Sequence, residues 1–245
     1  MRCTMKSCCW GILVGVLVMG SIGFAAEGEK GLHVGKVACG RVVILGNSIT
    51  LHGPLEKIGW LHNWGMAASA EEKDFVHVLL KRIEKEGGGK PEALVRNIAD
   101  FERGYASYNI GEKLKEVIDF RADLIIIAIG ENVTTPDTEE GKAAYGKACR
   151  ELLKKLDHPG KPTIIVRSSF WGNEIKDGII REACVEAGGE FVDLKGLDKE
   201  EKNYARSERK YEHAGVAAHP GDRGMVAIAE AIWGGIARRG KGVAR

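Results

Sequence analysis

Three side chains in this 245-residue sequence could together carry acyl chemistry: Ser48, Asn132 and His219. A serine hydroxyl is a poor nucleophile until a neighbouring base takes its proton. A neutral imidazole can take it near pH 7, because its unperturbed pKa is about 6.5. The negative charge that then builds on a carbonyl oxygen needs fixed N–H donors, each worth roughly 3–4 kcal/mol in comparable sites. An asparagine amide can be one of them. Taken singly, each residue has a plainer reading: a serine after a strand caps or turns, and a lone histidine packs. They mean more only if the fold brings them together.

The elements that would position them are legible as apolar runs. Arg41–Leu45, Ala93–Ile98, Asp123–Ile129, Thr163–Val166 and Phe191–Leu194 are short, rich in Ile, Leu and Val, and continuous rather than alternating. That character predicts strands covered on both faces, as in a parallel sheet. Between them, Glu72–Glu86, Ile110–Phe120, Glu139–Leu156, Glu174–Ala187 and Gly224–Arg238 repeat apolar residues at helical spacing. Strand–helix alternation predicts an α/β fold: a flavodoxin-like three-layer α/β/α sandwich with about five parallel strands and right-handed crossovers. In such a sheet, ligands sit at the carboxyl ends of the strands. Ser48 follows the first run, Asn132 the third, and His219 stands before the last helix, so all three converge on one edge. The stretch Leu51–Ala70 is long for a strand-to-helix connection and is expected to hold function or a lid.

Composition narrows the class. The chain is 44% hydrophobic, enough for a sizeable core, and its 36 basic against 34 acidic residues give no surplus of the kind nucleic-acid binders carry. Arg2 and Lys6 precede an apolar run from Trp10 to Ala26, and Gly23-Phe24-Ala25 supplies the small residues of a cleavage site. Residues 1–25 therefore read as a signal peptide, with an uncleaved anchor as the alternative, and 26–245 as one domain, secreted or periplasmic after cleavage and without stable membrane insertion. Removing the leader leaves 34 basic against 34 acidic residues and three cysteines, Cys39, Cys149 and Cys184. None has the spacing of metal ligands, and His52 and His62 lack partners for a metal, so no metal or cofactor is expected. Buried thiols are the preferred reading, with one bridge possible.

Gly46-Asn47-Ser48-Ile49-Thr50, Gly130-Glu131-Asn132 and His219-Pro220, in this order and on these elements, resemble the first, third and last sequence blocks of the SGNH/GDSL hydrolase superfamily. The resemblance covers roughly residues 38–238. It implies metal-free ester hydrolysis with Ser48 as nucleophile and His219 as base. It also implies an oxyanion hole built from the Ser48 N–H, the Asn132 side chain and a backbone N–H of the second block. Two positions depart from the pattern. Val216 stands where the family places Asp three residues before the histidine, and Asp100-Phe101-Glu102 occupies the place of the second-block glycine.

The Glu102 N–H is the expected third donor. His219 is expected to be oriented either by a backbone carbonyl, that of Val216 being the candidate, or by a displaced carboxylate, Glu102 or Glu131. Asp222 opens the last helix and is assigned to capping it. Asn47, where the family has Asp, is expected to order the turn equally well. Trp60, Trp64 and Trp171 are candidate walls for a sugar ring or acyl chain.

These readings lead to an exported serine esterase acting on small acyl groups, O-acetyl foremost, of a small-molecule or carbohydrate ester. The alternatives are a lysophospholipase or thioesterase, and a non-catalytic carbohydrate-binding module. A nucleotide binder is disfavoured, since no glycine-rich phosphate loop opens the first helix.

Overall fold

All five apolar runs form strands in the computed structural model, which describes Met1 and residues 31–242. The leader's apolar run and Cys3, Cys8 and Cys9 lie outside the described residues. In chain order the elements are a hairpin of β1 (His33–Val34) and β2 (Val37–Ala38), then β3 (Arg41–Gly46), α1 (Phe75–Gly87), β4 (Glu92–Asn97), α2 (Ala99–Gly104), α3 (Ile110–Lys113), α4 (Lys115–Phe120), β5 (Leu124–Ala128), α5 (Glu139–Leu156), β6 (Thr163–Arg167), α6 (Glu174–Glu186), β7 (Glu190–Val192), α7 (Ala214–Ala217) and α8 (Asp222–Gly240).

The main sheet runs β4-β3-β5-β6-β7 and every pairing in it is parallel. The strands are apolar on both faces because both are covered. Val42 and Ile44 of β3 pack with Phe75, Leu79 and Ile83 of α1 and Ile228, Ile232 and Ile236 of α8. The alternate residues Val43 and Leu45 face the opposite layer, with Tyr145, Cys149 and Leu152 of α5 and Ile180 of α6. Burying each such Ile or Leu contributes about 1.5–3 kcal/mol, so the two faces of one strand hold two helical layers. The result is the three-layer α/β/α sandwich expected from the sequence.

Local chemistry explains the shifted boundaries. The first helix begins at Phe75 rather than Glu72 because the buried Asp74 carboxylate accepts the His77 N–H at 2.8 Å and fixes the N-cap there. The helix expected over Ile110–Phe120 is broken at Leu114, which leaves helical geometry while its side chain stays buried. Cys39, Cys149 and Cys184 are buried; burial pushes the Cys39 thiol up to about 11 and the Cys149 thiol to about 12. Among the described residues, no helix is long and apolar enough to cross a membrane.

The strand order places a topological switch at β3, whose neighbours are β4 on one side and β5 on the other. The chain leaves the two strands β3 and β5 in different directions, which opens a crevice at their carboxyl ends. Ser48 lies two residues past β3 and Asn132 four residues past β5.

Candidate active site

The crevice is a cleft of about 520 Å³, and Ser48, Asn132 and His219 all line it. Ser48 Oγ lies 2.8 Å from His219 Nε2. The other ring nitrogen, Nδ1, lies 2.7 Å from the carbonyl oxygen of Gly215. A carbonyl only accepts, so Nδ1 carries the proton and Nε2 is left as the acceptor for the serine hydroxyl. The pair is therefore set to pass a proton from Ser48 to His219. Burial holds the His219 pKa below its ordinary value, with His52 and His213 adding to the effect and the Gly215 hydrogen bond working against it.

The holder of His219 is a backbone carbonyl, as one of the two sequence readings had it, but it belongs to Gly215 rather than Val216. The Val216 carbonyl accepts the backbone N–H of His219 itself at 3.0 Å, and the Val216 side chain is buried in the small cluster with Trp60 and Met66. The displaced carboxylates are engaged elsewhere. Glu131 pairs with Arg167 at 2.6 Å, both side chains being almost wholly buried. Burial alone would raise the Glu131 pKa, but the Arg167 guanidinium and the Phe170 N–H at 2.8 Å hold it low. Asp222 accepts from the Ser69 N–H at 2.8 Å and from Arg209 at 3.2 Å. The N-terminal amides of α8 are met instead by Glu208, which accepts from the N–H groups of Asp222 and Arg223 at 2.8 and 2.9 Å. Asp222 thus ties the insert to α8 rather than capping its own helix.

Glu102 requires a second correction. Its backbone N–H, expected to serve as an oxyanion donor, donates to the Ile98 carbonyl at 3.3 Å in the first turn of α2. Its side chain does something the sequence did not suggest. Glu102 is 1% exposed, and its Oε1 accepts from the N–H groups of Gly130 (2.6 Å) and Asn132 (3.3 Å) and from Asn47 Nδ2 (3.2 Å). Its Oε2 accepts from Asn132 Nδ2 at 2.7 Å. Burial and the nearby Glu131 carboxylate push its pKa up. Asn47 joins the two acids: its Nδ2 donates to Glu131 Oε2 at 2.6 Å as well as to Glu102, while its Oδ1 accepts the Ile49 N–H and orders the turn. Asp and Asn are therefore not equivalent here, because only the amide can donate to two buried carboxylates.

None of the three tryptophans expected to wall the cleft is among the residues that line it. Trp60 is buried against Met66, Ala205 and Val216, with its indole N–H on the His52 carbonyl at 2.9 Å. Trp64 stacks on His62, ring centroids 4.1 Å apart, and donates to the Ala68 carbonyl. Large rings with a single polar atom are satisfied by this arrangement and hold the insert's shape. The insert instead presents His52, Ile58 and Met66 to the cleft. Trp171 sets its ring edge-on to the His219 imidazole, centroids 5.5 Å apart.

Several solved structures match this architecture, among them two with TM-scores above 0.5. One is a two-domain esterase (CEX) active on acetylated mannans, co-crystallised with mannopentaose, at 15% identity and a TM-score of 0.51. The match covers 83% of this chain, which spans half the length of that protein. The other is the lipase/acylhydrolase from Enterococcus faecalis, at 16% identity and a TM-score of 0.52, covering 81% of this chain and 96% of that one. The chain shares the three-layer α/β/α fold of these two proteins. No family model and no curated protein matches the sequence.

The end of β4 and the short helix α2 stand in the place of the second sequence block. Here Asn97, Ala99, Asp100 and Arg103 contribute to the cleft. Of these, the sequence marked only Asp100, as part of the departing second block; Asn97, Ala99 and Arg103 carry no signal of their own there. Arg103 Nη2 donates to Asn132 Oδ1 at 2.9 Å. His213 also lines the cleft, and its ring accepts the Val216 N–H at 3.4 Å, capping α7. Among the described residues, no three His, Cys, Asp or Glu side chains are grouped as a metal ion would require.

Proposed function

We propose that this chain is an exported serine esterase that removes small acyl groups, O-acetyl foremost, from carbohydrate. The observation that carries the reading is the Ser48 Oγ–His219 Nε2 contact of 2.8 Å, with Nδ1 held by the Gly215 carbonyl, inside an open cleft at the sheet's switch point. Ser48 Oγ attacks the ester carbonyl carbon while its proton passes to His219 Nε2. The tetrahedral oxyanion is met by the Ser48 N–H and the Asn132 amide. Collapse breaks the bond to the alkoxy oxygen, which leaves with the proton from His219 as the free alcohol. Water then attacks the acyl-serine with His219 again as base, releasing the acid and restoring Ser48.

The substrate class rests on the lining of the cleft. His52, Asn97, Asp100, Arg103 and His213 offer polar groups to a hydroxylated alcohol, whereas Ile58, Met66 and Val216 supply only a small apolar surface for the acyl part. One structure of the same fold is an esterase active on acetylated mannans, which agrees with this reading. Export rests on the Trp10–Ala26 run and its flanks.

The test is labelling by a fluorophosphonate probe together with turnover of p-nitrophenyl esters. Ser48→Ala should abolish both while leaving the Tm nearly unchanged, and acetyl esters should outrun octanoyl esters. Labelling retained in Ser48→Ala would refute the nucleophile. A preference for octanoyl esters would move the reading to a lysophospholipase or thioesterase. A wild-type protein that neither labels nor turns over but binds oligosaccharide would be a non-catalytic module.

A further inference from the structure

Asn132 is held at both ends by consecutive residues of α2. Its Nδ2 donates to Glu102 Oε2 at 2.7 Å, and its Oδ1 accepts from Arg103 Nη2 at 2.9 Å. A carboxylate only accepts and a guanidinium only donates, so the two together allow one orientation of the carboxamide and exclude its flip. Glu102 also accepts the backbone N–H groups of Gly130 and Asn132, which fixes the peptide carrying the side chain. A carboxamide nitrogen has two hydrogens. With one committed to Glu102, the other remains for the cleft that Asn132 lines.

We propose that Glu102 and Arg103 are positioning residues that lock the Asn132 amide with one N–H presented to the reacting carbonyl oxygen. The proposal rests on the esterase reading of the Ser48 centre. A donor preorganised in this way stabilises the transition state without reorienting as charge develops. The second block would then act here through clamping side chains, its Glu102 N–H being engaged inside α2.

Glu102→Gln isolates the effect, because it keeps the side chain's shape but replaces one acceptor with a donor. If the Gln oxygen stays with the Gly130 and Asn132 N–H groups, its NH2 faces Asn132 Nδ2 and the amide must turn over. We expect kcat for p-nitrophenyl acetate to fall ten- to a hundredfold with KM within about twofold, less than the roughly 10²–10³ that removing an oxyanion donor costs. In an Asn132→Ala background the same substitution should cost nothing further, since it acts only through that amide. Arg103→Met should lower kcat three- to tenfold, again only while Asn132 is present, and Arg103→Gln, which retains a donor, should recover most of the loss.

A Glu102→Gln protein with wild-type kcat, or one losing as much in the Asn132→Ala background as alone, would overturn the proposal. Should Glu102→Gln fail to fold, the exposed Arg103 pair decides by the same cycle. The side-chain ¹⁵N–¹H signals of Asn132 give a readout apart from activity: two well-separated proton shifts in wild type, drawn together in the Glu102→Gln or Arg103→Met protein. If wild type hydrolyses no ester, the esterase reading fails, and unchanged Asn132 signals in the variants would separately refute the clamp.

Discussion

His219 Nδ1 donates to the carbonyl oxygen of Gly215, four residues earlier in the same segment, at 2.7 Å. This single contact does two of the jobs that a carboxylate does in a full triad: it selects the tautomer and fixes the ring's orientation. It supplies no full negative charge to stabilise an imidazolium, so in the proposed mechanism Ser48 and His219 would work as a dyad with a neutral support.

His219→Ala should accordingly be as damaging as Ser48→Ala, since both act in the same proton transfer. Asp222→Asn should leave kcat within about twofold and appear instead as a lower Tm, because Asp222 binds Ser69 and Arg209 rather than the imidazole. Steady-state kinetics with thermal melts of the three variants checks this. Turnover abolished in a folded Asp222→Asn protein would restore a carboxylate to the mechanism.

The acid limb of kcat/KM should lie below the ordinary histidine value of about 6.5. Burial lowers the His219 pKa, so the imidazole stays neutral, and able to act as base, as pH falls through that value. A pH–rate profile with p-nitrophenyl acetate reads the midpoint directly. A midpoint above 7 would mean that a buried negative charge governs the histidine after all.

Asn47→Asp should be strongly destabilising although it restores the residue the family pattern carries. It would set a third carboxylate between Glu102 and Glu131 and remove the donor both now share. A buried charge left without a partner costs about 3–5 kcal/mol. The new Asp would have a folded-state pKa above its unfolded value, so the deficit should shrink as pH falls and the group takes up a proton. Urea melts at pH 8 and pH 5 test both the loss and its direction.

Stability should also carry a contribution from His77, whose pKa is raised chiefly by its 2.8 Å hydrogen bond to the buried Asp74. A raised folded-state pKa stabilises fully below the unfolded value of about 6.5 and is lost as pH rises through the folded one. Wild type should therefore lose more Tm between pH 6 and pH 9 than His77→Gln does. Parallel pH slopes for the two proteins would assign the effect elsewhere.

The strands were legible because each is a continuous apolar run, and the three-layer order followed from their alternation with helices. Ser48, Asn132 and His219 were legible for a related reason: each stands at a fixed offset from a strand end or a helix start. Glu102 and Arg103 were not. Their importance comes from where α2 sets them relative to a loop 28 residues further on, and no local pattern encodes that relation. Trp60, Trp64 and Trp171 misled in the opposite sense, since an aromatic residue near a nucleophile looks the same in sequence whether it faces a ligand or packs against its neighbours. Val216 correctly signalled the missing carboxylate, yet it could not show which carbonyl had taken its place, because that depends on the turn of α7.

The compactness of that turn has an evolutionary and an engineering side. From His213, whose ring caps α7, through the Gly215 carbonyl to His219, the imidazole and the carbonyl that fixes its tautomer lie within seven consecutive residues. A triad whose acid arrives from another part of the chain can be orphaned by a mutation far from its histidine. Here one short segment carries both the proposed base and the carbonyl that holds it, so grafting that segment would move the two together.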